Sequence, residues 1–267
     1  MRESRLNSHH EVFQRYEDLA QMLAFRYGSG SQGIIFVLYD QLIALRRLLV
    51  QQPGSIVLRA WVAHLGDRLR QRYEDEFPAA AMGHPTAVVR TDPVVVQYSR
   101  AAFEEKYRSV MDVVQPETIE LTGPVLPAPV REGRPYMYVI DEDGRFLLWT
   151  RSFSFEELVF GRNKATVNDV PVGHPMLVPD RLRASAAGEV VFIGGPQVRA
   201  VVINNKSGHF RFPPSSREVI VDCCRRIFRL PDDAVDVFIV GGFESRLVER
   251  TLVLADEPEP VSGRVEV

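Results

Sequence analysis

Apolar residues recur at helical spacing through the N-terminal part of the chain. Between residues 9 and 27 they fall on one face of a predicted helix, and between 32 and 51 they cover most sides of a second helix. A third helix is predicted over 55–76, with Ser55 as its N-cap, and a fourth from Thr91-Asp92-Pro93 to about Val114. The pattern predicts a helical bundle with its second helix at the centre. The face of the first helix comprises Val12, Phe13, Tyr16, Leu19, Ala20, Leu23 and Tyr27.

The pattern changes at Gln115-Pro116. Prolines interrupt the stretch that follows and exclude a continuous helix, because each ring fixes φ and removes a backbone donor. We therefore divide the chain into a helical region over 1–115, an α+β domain over 116–257 and a flexible tail over 258–267. The interrupting prolines are Pro116, Pro124, Pro127, Pro129 and Pro135.

Short β-prone runs predict a sheet in the second region. The runs 136–140 and 145–150 flank the turn Asp141-Glu142-Asp143-Gly144 and form a predicted hairpin. Further strands are predicted over 189–193, 198–203, 235–240 and 251–254. Ser215 precedes Glu218 by three residues, a capping-box arrangement that predicts a helix to about Phe228. The expected fold class is α+β: an N-terminal helical bundle followed by a mostly antiparallel β-sheet domain with a packed helix.

The most informative segment follows the predicted strand 198–203, where an apolar run ends in polar residues and then Gly208-His209-Phe210. An unperturbed histidine has a pKa of about 6.5, which makes His209 a candidate acid or base near neutral pH. Ser207 is its candidate catalytic partner, although the sequence identifies no carboxylate that would orient the pair. This functional interpretation requires the His209 ring to face solvent in a concave part of the surface.

The polar residues around this histidine have two interpretations. As amide donors and cations around a glycine-centred turn, they would form the rim of a site for a phosphate-bearing or otherwise anionic small molecule. As structural groups, they would hydrogen-bond a tight connection and pin the proline segment to the sheet. The sequence leaves both interpretations open. The candidate ligand-binding residues are Asn204, Asn205, Lys206 and Arg211.

The same region resembles uncharacterised bacterial domains found in effector and polymorphic-toxin-like proteins. The matching residues are Ala187-Gly188-Glu189, the apolar run 198–203, the Asn-x-Ser-Gly-His-aromatic motif at Asn205-Lys206-Ser207-Gly208-His209-Phe210, and Pro213-Pro214. The resemblance covers about residues 136–241, and His174 takes the place of an upstream histidine of those domains. It implies a bacterial source and a fold unit, and it brings no assigned chemistry with it.

Charge and cysteine content narrow the classes of function. A formal net charge of −3 and a pI near 6.1 argue against a general nucleic-acid-binding protein. The two cysteines, Cys223 and Cys224, are neighbours in a predicted helix, which favours a reducing compartment and a cytoplasmic protein. No secretory signal is visible, and the longest apolar run, 33–50, contains charged residues, so we expect no membrane insertion.

No motif in the chain predicts a cofactor or a metal site. The glycine pairs lack the Gly-x-Gly-x-x-Gly spacing, and the histidines lack metal-ligand spacing. The leading hypothesis is a cytoplasmic bacterial binding or interaction module, linked to an effector or conflict system, with a ligand site around residues 204–211. Its N-terminal helices would contact a protein partner or a second copy. The alternatives are a toxin-like group transferase or hydrolase that uses His209, and a non-enzymatic dimeric scaffold.

Overall fold

A computed structural model describes residues 2–30, 32–76, 86–89, 93–154 and 166–239. For residues 2–9, 11–12, 32, 73–76 and 86–89 it describes the backbone alone. The predicted strand over 251–254 and the predicted tail over 258–267 lie outside the described residues.

Three long helices open the chain: α1 (Arg2–Tyr27), α2 (Gln32–Gln51) and α3 (Ile56–Glu76). The predicted bounds of α2 are confirmed, and Ser55 caps α3 by accepting a hydrogen bond from the Leu58 N–H at 3.3 Å. The prediction for the packed face of α1 is wrong at two positions, because Leu19 and Tyr27 are 38% and 62% exposed. Among the described side chains of α1, Phe13 contacts the bundle by stacking on Trp61 of α3.

The predicted fourth helix is wrong in its first half. A strand pair, β1 (Thr86–Val89) and β2 (Val95–Tyr98), precedes α4 (Arg100–Tyr107) and α5 (Met111–Val114). The consecutive valines after Pro93 favour extended backbone, because their branched side chains are stiff at χ1. The side chain of Ser99 caps α4 by accepting from the Ala102 N–H at 3.3 Å. Thr91 and Asp92 lie outside the described residues.

The remaining strands follow the proline-rich stretch. The predicted hairpin is confirmed as an antiparallel pair of strands, β4 (Pro135–Asp141) and β5 (Phe146–Ser152). The strand predicted over 189–193 is the second half of a longer strand. Helix α6 (Ser216–Phe228) matches its predicted bounds, but Ser215 makes no side-chain capping bond, so the capping box does not form. The strands are β3 (Thr118–Leu121), β4 (Pro135–Asp141), β5 (Phe146–Ser152), β6 (Thr166–Val167), β7 (Val170–Pro171), β8 (Arg183–Ile193), β9 (Ala200–Asn204) and β10 (Val235–Phe238).

Among the described strands, eight form one sheet, and β6 and β7 form a separate small pair. The order runs β1-β2-β8-β4-β5-β3, and β9 and β10 branch from β8. All pairs in the main sheet are antiparallel except β9 with β10. Strand β4 pairs with one edge of β8, so β2 and β9 share the other edge. Strand β2 pairs there at Ala184, and β9 pairs from Val190 onward. A gap therefore separates β2 from β9.

Helices cover both faces of the sheet. Phe228 of α6 packs against Phe146 and Phe192, each at 5.5 Å between ring centroids. Strand alternation places Asp236 of β10 on the opposite face, where its carboxylate forms a buried two-point ion pair with Arg46 of α2. This pair fixes the N-terminal helices to the sheet.

A first apolar core joins α2, α3 and α6 to the sheet, and a second apolar core is separate from it. It joins α4, α5 and the 3₁₀ turn His174–Leu177 to Met137 and Val139 of β4, and it also includes Phe210 and Phe212. The fold class prediction is confirmed: helices at the N-terminus precede a mixed, mostly antiparallel sheet with a packed helix.

Candidate functional site

The chain leaves β9 through residues 204–210, here called the polar junction. Phe210 and Phe212 lie in the second core, whereas α6 begins four residues after Phe212 and covers the other face of the sheet. The chain therefore crosses the sheet through the gap between β2 and β9. Buried backbone without a strand partner must find hydrogen bonds elsewhere, which explains the polar sequence at this point.

Asn204 ends the β8–β9 ladder with its side chain. The residue is fully buried, and its Oδ1 accepts from the N–H groups of Glu189 at 3.1 Å and Lys206 at 2.9 Å. Its carbonyl oxygen accepts from the Tyr138 hydroxyl at 2.8 Å. The Nδ2 group is buried without a hydrogen-bond partner among the described residues. The side-chain oxygen of Asn204 is thus used within the fold, whereas both N–H donors of its Nδ2 are unused among the described residues.

Ser207 is held from three sides. Its Oγ accepts from the N–H groups of His209 at 3.3 Å and Phe210 at 3.1 Å, and it lies 3.1 Å from His174 Nδ1. With its oxygen already accepting twice, the hydroxyl donates to Nδ1, and His174 then donates from Nε2 to the Gly188 carbonyl oxygen at 3.1 Å. The arrangement therefore fixes His174 in one neutral tautomer. The structure brings together Ser207 and the histidine that the resemblance singled out.

His209 does not face solvent. The residue is 7% exposed, shares a hydrogen bond through Nε2 with the Tyr107 hydroxyl, and meets the Tyr98 ring edge-on at 5.7 Å between centroids. Burial raises the pKa of Tyr107 well above its ordinary value. A Cβ atom at Gly173 would lie 2.6 Å from His209 Cε1 and 2.9 Å from the Tyr107 hydroxyl, so the ring fills the space that this glycine leaves.

The candidate ligand-binding residues contact different parts of the fold. The Asn205 side-chain amide donates to Ser216 Oγ of α6 at 3.4 Å, and its backbone N–H donates to the Phe238 carbonyl oxygen at 3.2 Å. Lys206 and Arg211 are partly exposed, and the Nε atom of Arg211 is buried without a hydrogen-bond partner among the described residues. Asn205 therefore ties the junction to α6, whereas Asn204 and Lys206 lie near β8.

Glu189 is a notable acidic residue that sequence reasoning did not select. Desolvation by burial raises its pKa to about 7, and the Lys206 ammonium and the Asn204 side chain offset only part of this cost. Its Oε2 atom is buried without a hydrogen-bond partner among the described residues. The signal in the sequence was an acidic residue inside the small and apolar run Ala186-Ala187-Gly188-Glu189-Val190.

The Ser207–His174 contact has the residue types of a nucleophile and its base, but its environment is unsuitable for attack on a substrate. Both residues are at least 94% buried, and the serine oxygen already accepts from two backbone donors. Neither Ser207 nor His209 lines the clefts of about 350, 510 and 470 Å³ in the described part of the chain. The hydrogen bonds at this place hold the crossing chain in position.

A cleft of about 350 Å³, here called the α6 cleft, opens beside the polar junction. It is bounded by Pro93 and Val94 just before β2, by the β4–β5 turn and by one side of α6. It reaches Ser185 of β8 in the gap between β2 and β9. Ser216 lines it and accepts the hydrogen bond from Asn205, so the junction supports one wall. Its apolar lining is formed by Pro93, Val94, Ile140, Pro213 and Val219.

The polar groups of the α6 cleft differ from those of the junction. Glu218 and Asp222 lie one helical turn apart on α6, are exposed, and form no ion pair with another described residue. Arg226 donates to the Gly144 carbonyl oxygen, as does the Cys223 thiol at 3.6 Å. Burial raises the pKa of Cys223 to about 11, so the thiol stays protonated at neutral pH.

Two further clefts, of about 510 and 470 Å³, meet at Gln115, Pro179 and Asp180. The first is rich in charge, but its three arginines are paired: Arg181 and Arg183 reach Glu142 at 2.9 and 3.3 Å. The third arginine, Arg145, reaches Asp141 at 2.6 Å. The two pairs with Glu142 join the β4–β5 turn to Arg181 and to the first residue of β8.

Comparison with known proteins identifies no relative: no family model, no curated protein and no solved structure matches the chain significantly. None of the helices in the described ranges combines the length and the apolar character needed to cross a bilayer. Cys223 and Cys224 are both buried and free.

Proposed function

We propose that the protein is a non-covalent binding module whose ligand occupies the α6 cleft. The ligand has an apolar body and a basic group. One observation carries the proposal: the cleft combines an apolar lining with two exposed carboxylates, Glu218 and Asp222, that are unpaired within the described part of the chain.

The size and the position of the cleft support this function. Pockets for small molecules have volumes of roughly 300–1,000 Å³ and combine apolar walls with a few polar groups. The α6 cleft also lies where two strands separate along a shared neighbour, and such a gap leaves space at a sheet edge. Val94 and Val219 would contact the apolar body, and the carboxylates would accept from the basic group.

The site differs from the one that the sequence suggested. The ligand site remains close to the polar junction, since Asn205 holds the cleft wall at Ser216, but Ser207 and His209 act as its support. The polar groups of Ser207 and His174 are engaged with one another, which favours binding over hydrolysis or group transfer. A bacterial source, an effector context and a cytoplasmic location stay predictions.

Matched pairs of small molecules test the proposal. Benzamidine with benzamide, and phenylethylamine with phenylethanol, differ in the basic group and share the apolar body. We expect each amine or amidine to raise the Tm in a concentration-dependent way, and its neutral partner to raise it less. Val219→Phe, which fills the cleft, should abolish both shifts. Asp222→Asn should weaken the amine about 10-fold and leave the neutral partner unchanged, as expected for a lost charge-assisted hydrogen bond.

Two outcomes would reject the proposal. Equal Tm shifts from the charged and the neutral partners would show that the carboxylates do not bind the ligand. Tm shifts that persist in Val219→Phe would show that the ligand does not occupy the α6 cleft. A panel of nucleotides tests the alternative, which is a phosphate-bearing ligand at the polar junction. Binding that is lost in Lys206→Ala and kept in Val219→Phe would move the site back to the polar junction.

A further inference from the structure

The outer face of α1 presents apolar side chains to solvent. Leu19, Met22 and Phe25 are 38%, 52% and 95% exposed, and their spacing of three residues places them along one side of the helix. Single exposed apolar residues are ordinary on a protein surface, whereas a contiguous row suggests an interface.

The inner face of α1 fixes this row in position. The Tyr16 hydroxyl donates to Asp40 Oδ2 of α2 at 2.8 Å, and Arg68 of α3 pairs with Glu17 at 2.8 Å. Phe13 adds its stacking contact with Trp61. The helix is therefore attached to α2 and α3 along one side, and it cannot turn its apolar row inward without breaking these contacts.

The residues of the outer face are arranged symmetrically about Met22. Leu19 and Phe25 lie three residues before and after it, and Asp18 and Arg26 lie four residues before and after it. In an antiparallel helix pair with a two-fold axis at Met22, Asp18 is level with Arg26 of the other copy, at roughly 6 Å along the helix from the axis. Leu19 is then level with Phe25 of the other copy. Each copy therefore presents an acidic, a basic and two apolar side chains level with complementary side chains of the other copy.

The charges are available for such a pairing. Arg26 forms no ion pair with another residue of the described ranges, and its guanidinium lies 5.4 Å from the centre of the neighbouring Tyr27 ring. Asp18 accepts one hydrogen bond, from the Gln14 side chain at 2.8 Å, which leaves a second carboxylate oxygen for a partner. Apolar and aromatic residues with flanking charges are the composition of a small interface core with a polar rim.

We propose that the protein forms a symmetric dimer in which α1 pairs antiparallel with α1 of a second copy about Met22. This inference is independent of the α6 cleft, since it uses another helix and another face. One helix pair is smaller than the roughly 800 Å² per partner of a standard interface, so we expect a dissociation constant of about 10–100 µM.

Charge exchange across the two-fold axis tests the register. Sedimentation equilibrium from about 1 to about 500 µM covers the expected dissociation constant. Asp18→Arg alone and Arg26→Asp alone each place like charges opposite one another, and each should weaken association about 10-fold. An equimolar mixture of the two variants restores both pairs and should recover heterodimers at the wild-type affinity. Gln21→Arg, an exposed change about a quarter turn off the face, is the matched control and should leave association unchanged.

Variants of the apolar row complete the test. Met22→Asp should weaken association more than either charge variant, and its Tm at low concentration should equal that of the wild type. A wild-type protein that stays monomeric across the whole range overturns the proposal, and so does a mixture that fails to restore association. If Phe25→Glu lowers the Tm of a monomer, another segment of the same chain covers this face, and the dimer is again excluded.

Discussion

The polar junction and the α6 cleft are neighbours in the chain and in space, and both are rich in polar residues. They differ in where their polar atoms find partners. In the junction, Ser207 and Asn204 are buried and bond to backbone groups and to His174 within the fold. In the cleft, Glu218 and Asp222 are exposed and have no ion-pair partner among the described residues.

The difference teaches how to separate structural polarity from functional polarity. Buried polar groups that are satisfied internally stabilise a difficult backbone path, and removing one costs free energy of unfolding. Exposed polar groups beside an apolar cavity contribute little to stability and remain available to a ligand. The comparison therefore predicts large stability losses from small changes in the junction and small losses from similar changes in the cleft.

The largest effect is expected where β8 passes under the junction. A Cβ atom added at Gly188 would overlap the carbonyl oxygen of Asn204 and lie 2.7 Å from its Oδ1. Because this carbonyl is main chain and also accepts from Tyr138, it cannot move freely, and Gly188→Ala should lower the free energy of unfolding by about 2–4 kcal/mol. Urea unfolding followed by circular dichroism measures the loss.

Gly66→Ala is the matched control for this change. Gly66 lies inside α3, and an added Cβ there meets no atom within 4 Å. Alanine is the better helix former by about 1 kcal/mol, so Gly66→Ala should leave the protein as stable or more stable. Equal effects of the two substitutions would show that the junction is not tightly built around Gly188.

The next effect concerns the serine at the centre of the junction. Ser207→Ala leaves two buried backbone N–H groups and His174 Nδ1 without their partner, which should cost about 2–3 kcal/mol of unfolding free energy. Ser215→Ala, at the rim of the α6 cleft, removes a hydroxyl that makes no capping bond and should change stability by less than about 0.5 kcal/mol. If Ser207→Ala unfolds like the wild type, the structural interpretation of the junction is wrong.

The sequence predicted the elements with strong local signals. Helix α2 and helix α6 have clear bounds because glycine and proline flank their apolar patterns, and the β4–β5 hairpin follows from its Asp143-Gly144 turn. Strand β2 was missed because Thr91-Asp92-Pro93 is typical of a helix start. The first half of β8 was missed because its small residues have low β propensity.

The site could be predicted only in part. The segment 204–210 was singled out from its polarity, but polarity alone does not show whether Ser207 meets solvent or His174, which lies 33 residues earlier in the chain. The burial of Glu189 and the position of the α6 cleft depend on which strands flank β8. The local sequence does not contain this information, because β2 and β9 are far apart in the chain and share one edge of β8 only in the folded protein.

The smallest effect is a pH dependence from Glu189, which lies on β8 beside the junction. The pKa of Glu189 is raised to about 7, mainly because burial disfavours its ionised form. A raised carboxyl pKa means that the folded state binds the proton more tightly than the unfolded state, so this group stabilises the fold as the pH falls from above 7 toward 4.5. Above pH 7 the ionised carboxylate is a cost that the folded state carries in full.

Glu189→Gln, which mimics the protonated form, should therefore raise the free energy of unfolding at pH 8 by about 1–3 kcal/mol and leave it unchanged near pH 4.5. The measured quantity is the difference between wild type and variant in urea unfolding at each pH, which cancels the contributions of other carboxylates. Glu218→Gln in the cleft removes an exposed carboxylate and should give a difference that is small and nearly flat with pH. A flat difference for Glu189→Gln would show that its carboxylate is hydrated in the folded state. The contrast between the buried polar groups of the junction and the exposed carboxylates of the cleft would then fail at β8.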